Sequence, residues 1–83
     1  VNYENLRGLP TSVKLQRLRY WRGLSQRQLA NEIGCNRVSI SMWETGKQFP
    51  RGYILEKIRL YYNLPLDFFI EDENKNRLRN RLC

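Results

Sequence analysis

Residues 34–47, "GCNRVSISMWETGK", admit two readings with opposite consequences for the fold. Val38, Ile40 and Met42 alternate with Ser39 and Ser41, as in a half-buried strand, and the β-branched Val38 and Ile40 agree with that pattern. Yet Asn36 precedes the run and Gly46 closes it, as at the two ends of a short helix. The surroundings decide between the two.

Those surroundings read as helices. Pro10, Thr11 and Ser12 open one, with Leu15, Leu18 and Trp21 or Arg22 at helical spacing, and Gly23 stops it. Ser25 and Gln28 make a capping box for a second helix, with Leu29 and Ile33 on one face and Ala30 beside them. Gly34 supplies its left-handed stop. Asn36 caps a third helix running to about Glu44. After the turn at Pro50, Ile54, Leu55, Ile58, Tyr61 and Tyr62 recur in steps of three and four, and Asn63 ends the pattern. The stretch "LPLDFFIED" predicts a short fifth helix starting at Pro65, with Leu66 and Phe69 inward. A single strand among five helices has no partner for its backbone groups, so the opening stretch is predicted to be helical. Ile40 and Trp43 then share the inward face. Val38 and Met42 are left at least partly exposed beside Arg37, as a contact surface.

The 83 residues suffice for one small domain and are too few for a large enclosed active-site cavity. The apolar share of 41% and charged share of 28% fit a soluble globular chain, and no apolar run approaches the ~20 residues of a membrane span. The first ten residues, "VNYENLRGLP", carry no leader-like apolar segment. With two cysteines and no histidine, neither a disulfide framework nor a zinc site is expected. Cys35 reads as a small half-buried apolar residue, Cys83 as a free thiol on a tail, and the setting as cytoplasmic. No nucleophile–base pair or phosphate-cradling glycine motif can be assembled, so neither an enzyme nor a cofactor is expected. The net charge of +7 lies entirely on residues 11–62, where ten Lys and Arg face three Glu. A solubilising surface and a polyanion-binding face both explain it. Residues 1–10 form an N-terminal extension, and residues 71–83 a polar tail whose Leu78 and Leu82 are helically spaced but expected to fray.

The segment "QRQLANEIGCNRVSISMWET", residues 26–45, resembles the helix-turn-helix unit of the lambda-repressor/Cro type, the Xre-like family. Leu29, Ile33, Cys35, Ile40 and Trp43 stand at its apolar positions, Ala30 where the two helices cross closely, and Gly34 at the turn. The resemblance extends over "LRYWRGLSQRQLA", "WETGKQFP" and "YYNLPLDFFI", roughly residues 13–70. It implies an all-α, compact five-helix DNA-binding domain over residues 11–70, whose third helix enters the major groove. Arg37, Val38 and Met42 match positions that face base edges, with Ser39 a short donor beside them. Arginine suits guanine O6 and N7, and Val38 or Met42 suits a thymine methyl. The implied contacts to the DNA backbone are Ser25, Gln26, Asn36, Ser41, Thr45 and Lys47, with Arg51 toward the minor groove. Free N–H groups at the start of the second helix favour an anion near Gln26. Arg19 and Glu44 match an ion pair between the first and third helices that leaves Arg19 near a phosphate. Tyr62 and Asn63 replace a commoner Leu and Gly, and Met42 stands where polar readers are frequent.

The function this implies is a prokaryotic or phage transcriptional regulator, a repressor that binds an inverted-repeat operator in double-stranded DNA as a homodimer. Phe68 and Ile70 are candidates for the dimer face, or equally for a fuller core. The alternative is an antitoxin or other partner-binding protein on the same fold, its tail folding on a protein partner. Gln26, Arg37, Lys47 and Arg51 argue against a domain that binds only protein.

Overall fold

The computed structural model describes residues 3–72 and 74. Among them all regular structure is helical. A 3-10 helix, Tyr3–Leu6, precedes α1 (Thr11–Trp21), α2 (Gln26–Ile33), α3 (Arg37–Glu44) and α4 (Gly52–Tyr62), and residues 70–72 are helical again. The chain divides into two compact units between Pro50 and Arg51.

In the first unit α3 packs against both α1 and α2. Local chemistry starts and stops each helix where the sequence indicates. Ser25 Oγ accepts from the Gln28 N–H at 3.0 Å, and the Ser25 N–H donates to Gln28 Oε1 at 2.8 Å. This reciprocal pair satisfies two donors that the first turn of α2 leaves open. Gly34 ends α2 at φ 77°, so that the Gly34 and Cys35 N–H groups both reach the Ala30 carbonyl at 2.9 Å. A side chain at that φ would be strained, which is why glycine makes the turn. Asn36 Oδ1 then accepts from the Ser39 N–H at 2.9 Å and starts α3. The alternating stretch is therefore a helix, and its Ile40 and Trp43 are buried with Leu15, Leu18, Leu29, Ala30 and Ile33. Leu6 is buried too, and its 3-10 helix lies against α1. No periodic pattern in residues 1–10 predicts that burial.

One polar contact fastens α1 to α3 across 25 residues. Arg19 Nε donates to Glu44 Oε2 at 2.7 Å and Arg19 Nη2 to Glu44 Oε1 at 2.9 Å. Arg19 Nη1 meanwhile donates to the Leu24 carbonyl at 2.8 Å. The planar guanidinium matches both carboxylate oxygens at once, so the pair fixes an orientation as well as a distance. Both residues are buried, and removing either partner would strand a charge away from water.

The second unit contains α4, with Ile54, Leu55, Ile58 and Tyr62 buried. Asn63 ends it at φ 60°, a left-handed conformation that asparagine tolerates better than most residues. Beyond it the structure departs from the predicted helix. Residues 66–69 are turns, with the Phe68 N–H donating to the Pro65 carbonyl and the Ile70 N–H to the Asp67 carbonyl, and α-helical residues begin only at Ile70. The tighter turns change which side chains face in. Leu66, expected inside, is 79% exposed, whereas Phe68, a candidate for the dimer face, is 1% exposed. Phe69 is buried as expected, its ring edge-on to Phe68 at 5.0 Å. Ile70 keeps its exposure. Glu56 and Arg59 pair on the surface of α4, which lowers the Glu56 pKa through the hydrogen bond from Arg59. The expectations for Leu78, Leu82 and Cys83 lie outside the described residues.

Three substitutions test this packing, the last as a control. Trp43→Ala should destabilise the fold by about 3–5 kcal/mol, read as a lower urea midpoint at unchanged slope. Glu44→Gln keeps the size of the side chain and leaves Arg19 unpaired, so it should cost about 3 kcal/mol or more. Glu56→Gln at the exposed pair should barely move the midpoint.

Candidate nucleic-acid interface

The outward side of α3 is built by subtraction. With Ile40, Trp43 and Glu44 turned inward, the remaining side chains of α3 line its other side. Arg37 is exposed and Val38 is 55% exposed, while Ser39, Ser41 and Met42 are half-buried. Asn36 and Thr45, at the two ends of the helix, and Lys47, in the loop beyond, are exposed. The four expected base-facing residues thus sit on one helix with part or all of their surface open, Arg37 and Val38 most of all.

A chain of hydrogen bonds ties this face to the buried pair. Gln26, the first residue of α2, donates through Nε2 to Glu44 Oε1 at 3.2 Å. Its Oε1 lies 3.4 Å from Arg37 Nη1, which donates to it. Gln16 adds a bond that sequence reasoning missed, its Nε2 donating to the Glu44 carbonyl at 2.7 Å. The available signal was slight: Gln16 stands three residues before Arg19, on the same face of α1.

The expected phosphate ligands differ in what they have left to offer. Ser25 and Asn36 are exposed, with their side-chain oxygens already occupied as N-caps, so the Ser25 hydroxyl hydrogen and the Asn36 amide nitrogen are their remaining donors. Thr45 Oγ1 lies 2.9 Å from the Ser41 carbonyl and 3.3 Å from that of Met42, which engages its hydroxyl hydrogen at the helix end. The Lys47 N–H donates to the Met42 carbonyl at 3.0 Å, which anchors the loop while the ammonium side chain stays exposed. Arg51 is exposed at the start of α4 and belongs to the second unit. Arg19 is only 8% exposed and already makes three bonds inside the domain, so it stands behind the face. The hydrogen bonds with Glu44 raise its pKa above the ordinary guanidinium value.

The face therefore offers donors, positive charge and one apolar side chain, a combination suited to phosphates and base edges. Among the described residues no cluster of His, Cys, Asp and Glu could hold a metal, and no helix is long and apolar enough to cross a membrane.

Comparison with known proteins identifies the family. A family model described as helix-turn-helix matches residues 13–69. The chain is 37% identical over 60 residues to the HTH-type transcriptional activator BcrR of Enterococcus faecalis, covering 72% of this chain and 29% of that protein. It is 32% identical over 65 residues to the cryptic phage CTXphi transcriptional repressor RstR of Vibrio cholerae, covering 78% of this chain and 59% of the repressor. The chain thus spans less than two thirds of either relative. No solved structure matches it significantly. With the match running from α1 to Phe69, the chain belongs to the Xre-like helix-turn-helix family of DNA-binding transcription regulators.

Proposed function

We propose that this protein is a sequence-specific repressor that places α3 in the major groove of its operator and excludes polymerase by occupying the site. The observation that carries the reading is the open N-terminal turn of α3, where Arg37 and the 55% exposed Val38 stand side by side. An isolated apolar side chain on a surface needs no explanation; next to an arginine on the helix that this family presents to DNA, it forms a reading edge. Arg37 would take a guanine, and Val38, with the open part of Met42, a thymine methyl. Ser39 supplies a further short donor to a base. Ser25, Gln26, Asn36, Ser41, Thr45, Lys47 and Arg51 hold the duplex by its backbone, with residues 11–70 as the DNA-binding domain. The relatives are named an activator and a repressor, and repression is proposed because occupying the operator is all that it requires.

The site is read by a homodimer on an inverted repeat in the cytoplasm, with the two α3 helices about one duplex turn apart. Leu66 and Ile70, 79% and 51% exposed, supply apolar surface in the second unit for self-association. Leu66 joins Ile70 there in place of Phe68, which the core has claimed.

Selection from a randomised duplex pool should return a two-fold symmetric site. Arg37→Ala should weaken binding to it by about 1–3 kcal/mol and relax preference at one base pair per half-site. A selected sequence identical to the wild-type one would remove Arg37 from the reading edge. Lys47→Ala should weaken binding to all duplexes alike and reduce the slope of log K against log salt by about one unit per bound protomer. An unchanged slope would take Lys47 off the list of phosphate contacts.

A further inference from the structure

Val38 is the most exposed apolar residue of α3, and the chemistry around it decides which bases it can tell apart. A pyrimidine shows two features to the major groove. The group at C4 accepts a hydrogen bond on thymine and donates one on cytosine, and C5 carries a methyl on thymine and a hydrogen on cytosine. Reading C4 takes a side chain that only donates or only accepts. Of such groups on α3, the Glu44 carboxylate and the Trp43 indole are buried, and both Glu44 oxygens already accept from Arg19 or Gln26. Arg37 only donates, from the preceding position, where it suits guanine. The hydroxyls of Ser39 and Ser41 donate and accept, so they fit either pyrimidine. What remains is Val38, which has no polar atom, and Met42 one turn on, whose thioether accepts only weakly. A valine in a helix keeps one preferred rotamer, so its two methyl groups stand at a fixed place and lose little entropy on contact. The unbranched Met42 can close the remaining gap around a small apolar group.

We propose that the Val38–Met42 edge recognises the C5 methyl group itself and is blind to the group at C4, so that it binds 5-methylcytosine in the operator as it binds thymine. DNA methylated at cytosine C5 is then a second ligand class for this face. An operator with cytosine at the Val38 position gains affinity when that cytosine is methylated, and occupancy of the site responds to methylation of the DNA. The discrimination comes from apolar burial alone, because an unmethylated cytosine or a uracil leaves the same edge facing a gap. The proposal rests on the reading of Val38 as a base contact, and its test separates the two.

Selection from the randomised pool with wild type and with Val38→Ala locates the pyrimidine whose preference the substitution relaxes. Synthetic operators then carry thymine, uracil, cytosine or 5-methylcytosine at that position in both half-sites, each opposite its complement, and are titrated with both proteins. The variation lies in the DNA, and thermal melting checks that the exposed Val38→Ala site leaves the fold intact. Wild type should bind the thymine and 5-methylcytosine duplexes within about twofold of each other, and the uracil and cytosine duplexes about fourfold more weakly per half-site, the worth of one methyl group removed from water. Val38→Ala should narrow that difference to within about twofold per half-site. Tight binding of thymine and uracil alike, with cytosine and 5-methylcytosine both weak, marks a donor such as the Asn36 amide reading C4 and overturns the proposal. A methyl preference that persists undiminished in Val38→Ala places the contact elsewhere and overturns it too. If Val38→Ala relaxes no position of the selected site, the base-facing role of Val38 fails, and the methyl reading with it.

Discussion

The Glu44 carboxylate is the constraint on which the first unit depends. Its two oxygens and its backbone carbonyl receive bonds from Arg19 and Gln16 on α1 and from Gln26 on α2. It ends α3 and thereby joins all three helices at one residue. Burying a carboxylate is costly unless its oxygens find donors, and here both accept hydrogen bonds. Apolar packing by Ile40 and Trp43 would allow α3 to slide or rotate with little change in buried area, because hydrophobic contact is non-directional. The bidentate pair removes that freedom, and with it any ambiguity about which side chains of α3 face outward. The Glu56–Arg59 pair uses the same chemistry without that consequence, since it joins residues of one helix and its carboxylate stands in solvent.

Much of this was legible in the sequence because it is governed locally. The capping box at Ser25 and Gln28, the cap at Asn36 and the left-handed stops at Gly34 and Asn63 each depend on a few adjacent residues, and each occurs where its residue types stand. Pairing of Arg19 with Glu44 spans 25 residues and came from the family resemblance, not from any local rule. The errors fall where geometry, and not composition, decides. Residues 65–70 are as apolar as a helix needs, but three-residue turns replace the four-residue ladder, and the inward set shifts from Leu66 to Phe68. Single polar residues were the other gap. Gln16 and the buried Lys14 belong to no periodic pattern, and the bonds of Gln26 to Glu44 and Arg37 join residues far apart in the sequence.

The recognition face inherits its character from this division of labour. Residues that build the helix-turn-helix are spent inward: Ile40 and Trp43 on packing, Asn36 and Thr45 partly on the ends of α3. What is left outward is a short strip of Arg37, Val38 and the open part of Met42, with the serines between them. The strand-like alternation of the opening stretch is the trace of two faces written on one helix, an inner one that is apolar for packing and an outer one that is apolar at Val38 for contact.

The closing turn of α1 bears on the order in which these parts come together. "RYWRGL" at 19–24 and "RLYYNL" at 59–64 end their helices alike: the arginine donates through Nη1 to the carbonyl five residues on, and its own carbonyl accepts the N–H of that residue. For Arg19 this contact spans five residues, against 25 for the contact with Glu44. A loop so short closes far faster than a long one, and it restrains a side chain that otherwise carries about 2 kcal/mol of rotamer entropy. Arg19 can thus be aimed by its own helix before α3 arrives. An Arg19 so aimed brings less rotamer freedom to the long-range ion pair, so less of the ordering cost falls on that pair.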